Sequence, residues 1–90
     1  MLVVFYEDKQ EVEFLEEEDF CKKFDIKDEY WHWVAIDGSM GREVIDFTIP
    51  DDAVLHIKEM AEEGAMSWSK AYELVETIGE EFDEDFTYLL

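Results

Sequence analysis

Ninety residues, 48% of them hydrophobic and 16% aromatic, make one domain-sized chain able to build a core; this excludes an acidic disordered tail, which is poor in aromatic and β-branched residues. Twenty-six acidic residues against seven basic ones give a formal charge of −19, far beyond the roughly 2–8 units that keep a small domain soluble. That charge repels phosphates and anionic lipid, which excludes direct nucleic-acid binding and a membrane-surface role.

The chain opens with Met1-Leu2-Val3-Val4-Phe5-Tyr6. It lacks a basic n-region and is cut short by Glu7 and Asp8, so it is not expected to be a signal peptide. No apolar run approaches the roughly 20 residues of a membrane span. Residues 2–6 read instead as a strand, residues 7–10 as a polar turn, and Glu11-Val12-Glu13-Phe14 as a half-buried strand of period two. Together they predict a hairpin. Residues 16–24 predict a short helix, with acids in its first turn and Lys22 and Lys23 near its end, both suited to the helix dipole. Phe20 and Phe24, four apart, share its buried face. The single cysteine, Cys21, leaves no internal disulfide and points to a reducing compartment, the cytoplasm.

Tyr30-Trp31-His32-Trp33-Val34-Ala35-Ile36 is the strongest strand signal in the sequence. Asp37-Gly38-Ser39-Met40-Gly41 has turn chemistry. Residues 43–49 then predict a partner strand with Ile45, Phe47 and Ile49 on one face. Pro50-Asp51-Asp52 starts a helix that runs to about Glu63 and stops at Gly64. Ser67 or Ser69 caps the next helix. Its apolar positions Trp68, Ala71, Val75, Ile78 and Phe82 recur at steps of three and four, the stripe of a buried face. Residues 86–90 predict either an edge strand or a packed tail. The order is roughly ββαββαα, with an optional last strand. The class is α+β: an antiparallel sheet of about four strands with two to three helices on one face.

Two acidic groups stand out. On the last long helix, at 100° per residue, Glu73, Glu76 and Glu80 fall in a narrow arc opposite the apolar stripe, with rises of roughly 4.5–6 Å between neighbours. Phosphates along one DNA strand rise about 3.4 Å per nucleotide. Asp83, Glu84 and Asp85 continue the charge past Phe82, and Glu62 and Glu63 are candidate extensions. The plain reading of such a row is a solvated helix face. Against it, Lys70 is the only base between Glu59 and Leu90, facing ten acids, whereas a solvated face mixes signs. The second group is Glu11, Glu13, Glu16, Glu17, Glu18 and Asp19, for which hairpin solubility and helix-dipole complementarity are the plain reading. Trp31 and Trp33 share one strand face. They are core residues on the plain reading and interface anchors on the other.

Signals for chemistry are weak. His32 and His56 are far apart, Cys21 has no nearby histidine, and Ser39 does not sit in a G-x-S-x-G elbow. There is no Gly-rich phosphate loop, and Asp83-Glu84-Asp85 lacks the spacing and glycine of a calcium loop. The chain is therefore expected not to be an enzyme and to need no cofactor or metal.

In size, charge and folded-but-acidic texture the whole chain resembles the small acidic DNA mimics of phages and mobile elements: anti-CRISPR proteins, anti-restriction proteins and uracil-glycosylase inhibitors. The resemblance is one of composition and transfers no individual residue. It implies an inhibitor that occupies the nucleic-acid site of a basic nucleic-acid-binding protein or nuclease. The alternative is an immunity protein or antitoxin that plugs a cognate basic nuclease toxin. A third reading, halophilic adaptation, fits less well because Glu outnumbers Asp and aromatics are plentiful. The partner is a protein in the first two readings, and a homodimer stays open.

Overall fold

The computed structural model describes residues 1–24 and 44–90. The strand expected over residues 30–36, with Trp31 and Trp33, and the turn expected over 37–41 lie outside the described residues. The class is α+β: the described residues form a three-stranded antiparallel sheet and three α-helices. The chain divides into two compact units, Met1–Thr48 and Ile49–Leu90.

In the first unit, β1 (Leu2–Tyr6) and β2 (Glu11–Leu15) form the expected hairpin, and β3 (Val44–Phe47) pairs with the other edge of β1, giving the order β2-β1-β3. The four-residue connection is closed by Gln10, whose φ of 54° is unusual for a non-glycine residue. The central position of β1 suits its sequence, an uninterrupted apolar run over residues 2–5. Register sets two faces. Val3 and Phe5, with Phe14, Val12, Phe47 and Ile45 opposite them, make one face wholly apolar. Leu2, Val4 and Tyr6, with Leu15, Glu13, Glu11, Asp46 and Val44 opposite, make the other face mixed. The mixed face receives helix α1 (Glu17–Phe24), whose Phe20 and Cys21 cluster with Leu2 and Val4. The rings of Phe20 and Phe24 lie 4.9 Å apart, as their i,i+4 spacing predicts.

The strand expected over residues 43–49 is shorter than its apolar pattern: β3 ends at Phe47. Ile49 is 53% exposed and sits in extended backbone just before Pro50. A residue before proline is pushed out of the helical region, so Ile49 serves as the cap of the next helix rather than as a strand residue.

The second unit begins with α2 (Pro50–Glu62), which has Pro at its first turn and Asp51 and Asp52 beside it. Gly64 ends the helix at φ 81°. Its N–H bonds to the Ala61 carbonyl, and the Ala65 N–H reaches back to the Met60 carbonyl, the pattern of a Schellman stop. Ser67 caps α3 (Trp68–Phe82) by accepting from the Lys70 N–H at 3.1 Å. Helix α2 contacts α3, and a short 3-10 turn (Thr87–Leu89) contacts both, so the tail is packed and is not an edge strand. Ala53, Val54, Ile57 and Ala61 of α2 are buried, as are Ala71, Leu74, Val75 and Ile78 of α3 and Phe86 of the tail. Burial of a ring such as Phe86 contributes about 1.5–3 kcal/mol. No helix among the described residues is long and apolar enough to cross a membrane.

Candidate functional site

The buried stripe of α3 is rotated from the one its sequence predicts. Leu74 joins it, Phe82 is half-buried, and Trp68 is 42% exposed. Against this core Glu73, Glu76 and Glu80 all face solvent, as their arc predicts. They do not remain a single row. Glu73 lies 3.7 Å from the Lys70 ammonium, at the helix's N-terminal end. Glu76 and Glu80 join Asp83, Glu84 and Asp85 around an open cleft of about 480 Å³, with Val75, Gly79 and Phe86 completing its lining. Five of the six carboxylates singled out on and after this helix are therefore brought together.

The cleft exists because the chain folds back on the end of α3. Asp83 takes a left-handed conformation, φ 53° and ψ 46°, and its N–H bonds to the Gly79 carbonyl. The Glu84 N–H bonds to the same carbonyl at 3.0 Å. Glycine is required at 79 for a close approach: a Cβ there would stand 2.5 Å from the Glu84 carbonyl oxygen. Asp85 then fixes the descent into the tail. Its Oδ1 accepts from the Thr87 N–H at 2.9 Å and the Thr87 hydroxyl at 2.6 Å, and these bonds hold its carboxyl below the ordinary 3.8. Phe86, between them, is driven into the core. Asp85 thus has structural work, while Glu76, Glu80, Asp83 and Glu84 form no ion pair with a Lys or Arg among the described residues.

These acids oppose their local field. The C-terminus of a helix carries a partial negative charge that favours cations. Helix α3 has no base in its last turn, and its end is surrounded by carboxylates. Glu76 and Glu80, at i and i+4, repel by roughly 0.2–0.5 kcal/mol. Among the described residues no group of three or more His, Cys, Asp or Glu side chains could hold a metal ion. The arrangement offers several separated negative charges around a concavity, suited to several cationic side chains.

The other acidic group is built differently. Glu13 lies on the mixed face of the sheet, where its Oε1 accepts from the Tyr6 hydroxyl at 2.6 Å and from Lys23 Nζ at 2.7 Å. The Lys23 bond, then the Tyr6 bond, hold the Glu13 carboxyl below its ordinary 4.5. Burial, then the bond to Glu13, raise the Tyr6 hydroxyl above 10.0. The bond to Glu13, then the one to Tyr6, raise Lys23. Lys9 and Lys23 both stand over the Tyr6 ring, at 5.7 and 5.6 Å from its centre. The cleft of about 310 Å³ here is lined by Lys9 and Lys23 as well as Glu11 and Glu13. Glu18 pairs with Lys22 at 3.0 Å, one turn along α1. Glu11, Glu16, Glu17 and Asp19 are exposed. Glu62 and Glu63, exposed at the end of α2, do not line the α3 cleft.

Sequence reasoning missed Gly79 and the exposed aromatics Trp68 and Tyr72. An isolated glycine near the end of a helix, just before a run of acids, was the available signal for the first. Tyr72 follows Trp68 by four, a pairing that is hidden while Trp68 counts as a core residue. Compared with protein-family models, curated proteins and solved structures, the chain matches none.

Proposed function

We propose that this chain is an acidic inhibitor that occupies the nucleic-acid site of a basic protein, such as a CRISPR effector, a restriction enzyme or another nuclease, and acts by occupancy rather than chemistry. The observation that carries this reading is the gathering of carboxylates at the C-terminal end of α3, where the helix field disfavours them and where they meet no Lys or Arg among the described residues. Residues that weaken the free protein in this way have their benefit in a complex, where cations from a partner replace the missing bases. The folded core supports the same reading, because carboxylates on an ordered scaffold lose less freedom on binding than those on a flexible tail. Association is steered by charge and weakened by salt.

A second reading, an immunity protein or antitoxin that plugs a basic nuclease toxin, is favoured by one feature. The acids past Phe82 curl around a cleft instead of extending the helical row, and a cleft admits individual basic side chains rather than tracking a groove.

The test is capture of partners on the immobilised chain, elution with a salt gradient, identification, and competition of the tightest partner with double-stranded DNA. A basic protein that elutes at raised salt and releases DNA on binding is expected. A tightest partner that is neutral or acidic, affinity indifferent to salt, or a partner that keeps its nucleic acid in the complex sinks the proposal. A partner that is itself a nuclease toxin, sensitive to single substitutions in the cleft, selects the plug.

A further inference from the structure

Trp68 and Tyr72 are 42% and 44% exposed. Single exposed aromatics are ordinary, but these two are one helical turn apart and their position is specific. At 100° per residue, Trp68, Gly79, Tyr72 and Glu76 fall within an arc of roughly 80° on α3. The aromatic pair and the mouth of the acidic cleft thus lie along one side of the same helix, with Tyr72 and Glu76 separated by a rise of about 6 Å. Lys70, the only base on α3, points roughly the opposite way, where it meets Glu73. This side of the helix therefore combines exposed rings with carboxylates and carries no lysine or arginine.

We infer that the Trp68–Tyr72 pair is the anchor of the docking surface, receiving arginine side chains of a basic protein segment whose neighbouring cations enter the Glu76–Glu80–Asp83–Glu84 cleft. The inference rests on the inhibitor reading above and adds to it the anchor and the preferred cation. Arginine is chosen over lysine by chemistry. Its planar guanidinium stacks on Trp and Tyr rings while donating in a fork to a carboxylate, whereas lysine offers a compact, strongly hydrated charge. Trp, Tyr and Arg are also the residues that dominate interface energetics. A surface built for charge alone would have no use for rings held beside it.

The experiment uses the full chain, with an oligo-arginine and an oligo-lysine peptide of equal length as probes, titrated at low and raised salt. Two variants change the charge equally: Tyr72→Lys on the anchor side, and Thr77→Lys about 140° further round α3. Both positions are exposed, and circular dichroism checks that both variants fold. The wild-type chain is expected to prefer oligo-arginine. Tyr72→Lys is expected to weaken oligo-arginine binding about tenfold and to erase the preference, while Thr77→Lys weakens both peptides by about threefold or less. Equal losses in the two variants, or no arginine preference in the wild-type chain, overturn the anchor and leave the acidic-inhibitor reading standing. Absence of salt-dependent binding by either peptide sinks both.

Discussion

Helix α1 carries Glu17, Glu18 and Asp19 in its first turn and Lys22 and Lys23 in its last. Helix α3 has no acid in its first turn and no base in its last; it has Glu80 and Glu81 in its last turn and Asp83, Glu84 and Asp85 just beyond. The two acidic regions look alike in composition and are opposite in physics. Around α1, acids meet the positive end of a dipole, Glu18 is answered by Lys22, and Glu13 is answered by Lys23 and Tyr6. Around the end of α3, acids meet the negative end of a dipole and, among the described residues, go unanswered apart from the Thr87 bonds to Asp85. Charge around α1 is placed where the fold rewards it, whereas charge at the end of α3 is placed against the helix field, and the proposed inhibitor reading rests on that difference.

The comparison breaks most sharply under charge reversal. Converting Glu76, Glu80 and Glu84 to Lys is expected to weaken partner binding by several kcal/mol, since like charges then face each other across the interface. The free chain should melt at the same or a higher temperature, because cations suit a helix C-terminus by about 0.3–1 kcal/mol each. Converting Glu16, Glu17 and Asp19 to Lys should do the reverse: lower the melting temperature and change binding much less. If the α1 set proves the more damaging to binding in an affinity measurement, the assignment of the working surface moves to the first unit.

The next effect is on the shape of the cleft. Alanine favours a helix interior over glycine by about 1 kcal/mol, yet Gly79→Ala is expected to destabilise by roughly 1–3 kcal/mol because its Cβ meets the Glu84 carbonyl oxygen. Gly64→Ala meets nothing within 4 Å, so its loss is limited to about 1 kcal/mol of left-handed strain. Denaturant melts of the pair compare steric with conformational cost. A neutral or stabilising Gly79→Ala would mean that the chain does not fold back over α3 as described.

Asp83 gives a smaller effect of opposite sign. Its φ of 53° suits glycine, and it adds a carboxylate to the wrong end of the dipole. Asp83→Gly is therefore expected to stabilise by about 0.5–1 kcal/mol while weakening binding. A variant that loses stability, read by thermal melt, would show that the Asp83 side chain supports the fold.

The smallest effect concerns pH and the first unit. Glu13 is held below its ordinary 4.5, so its contribution is present above that value and is lost as pH falls through the lowered folded value. Lys23 and Tyr6 are raised, so their contributions are present below the ordinary values of 10.5 and 10.0 and are lost as pH rises through the raised ones. Glu13→Gln is expected to flatten the acid limb of a stability–pH curve measured by chemical denaturation, and Lys23→Met the alkaline limb. Curves that superimpose on the parent would remove the claim that this group is internally compensated.

Much of this was readable along the chain. An apolar run followed by an alternating segment placed the hairpin, dipole complementarity placed α1, Pro50 and Gly64 bounded α2, and Ser67 or Ser69 marked the start of α3, because each signal is local: a cap, a stop or a period acts on its own few residues. Exposure of Glu73, Glu76 and Glu80 also followed from helical period alone. The errors came where a neighbour outvoted the pattern. Ile49 fits the apolar alternation, but Pro50 takes it out of the strand. Trp68 fits the stripe, but it comes first in its helix and stays half in solvent, while Leu74 takes the buried place.

The sequence by itself determined that this chain folds, that it is α+β, and that its outer surface is overwhelmingly anionic, because composition and period fix which residues must hide and which must face water. Only the tertiary structure decided that the two acidic groups differ. Whether a carboxylate is answered depends on which lysine, hydroxyl or helix end lies within a few ångströms, as Lys23 and Tyr6 do for Glu13, ten and seven residues away. It also decided that the row on α3 closes into a cleft. That closure depends on the carbonyl of Glu84 settling where Gly79 has no side chain, a contact between backbones that no residue pattern spells out.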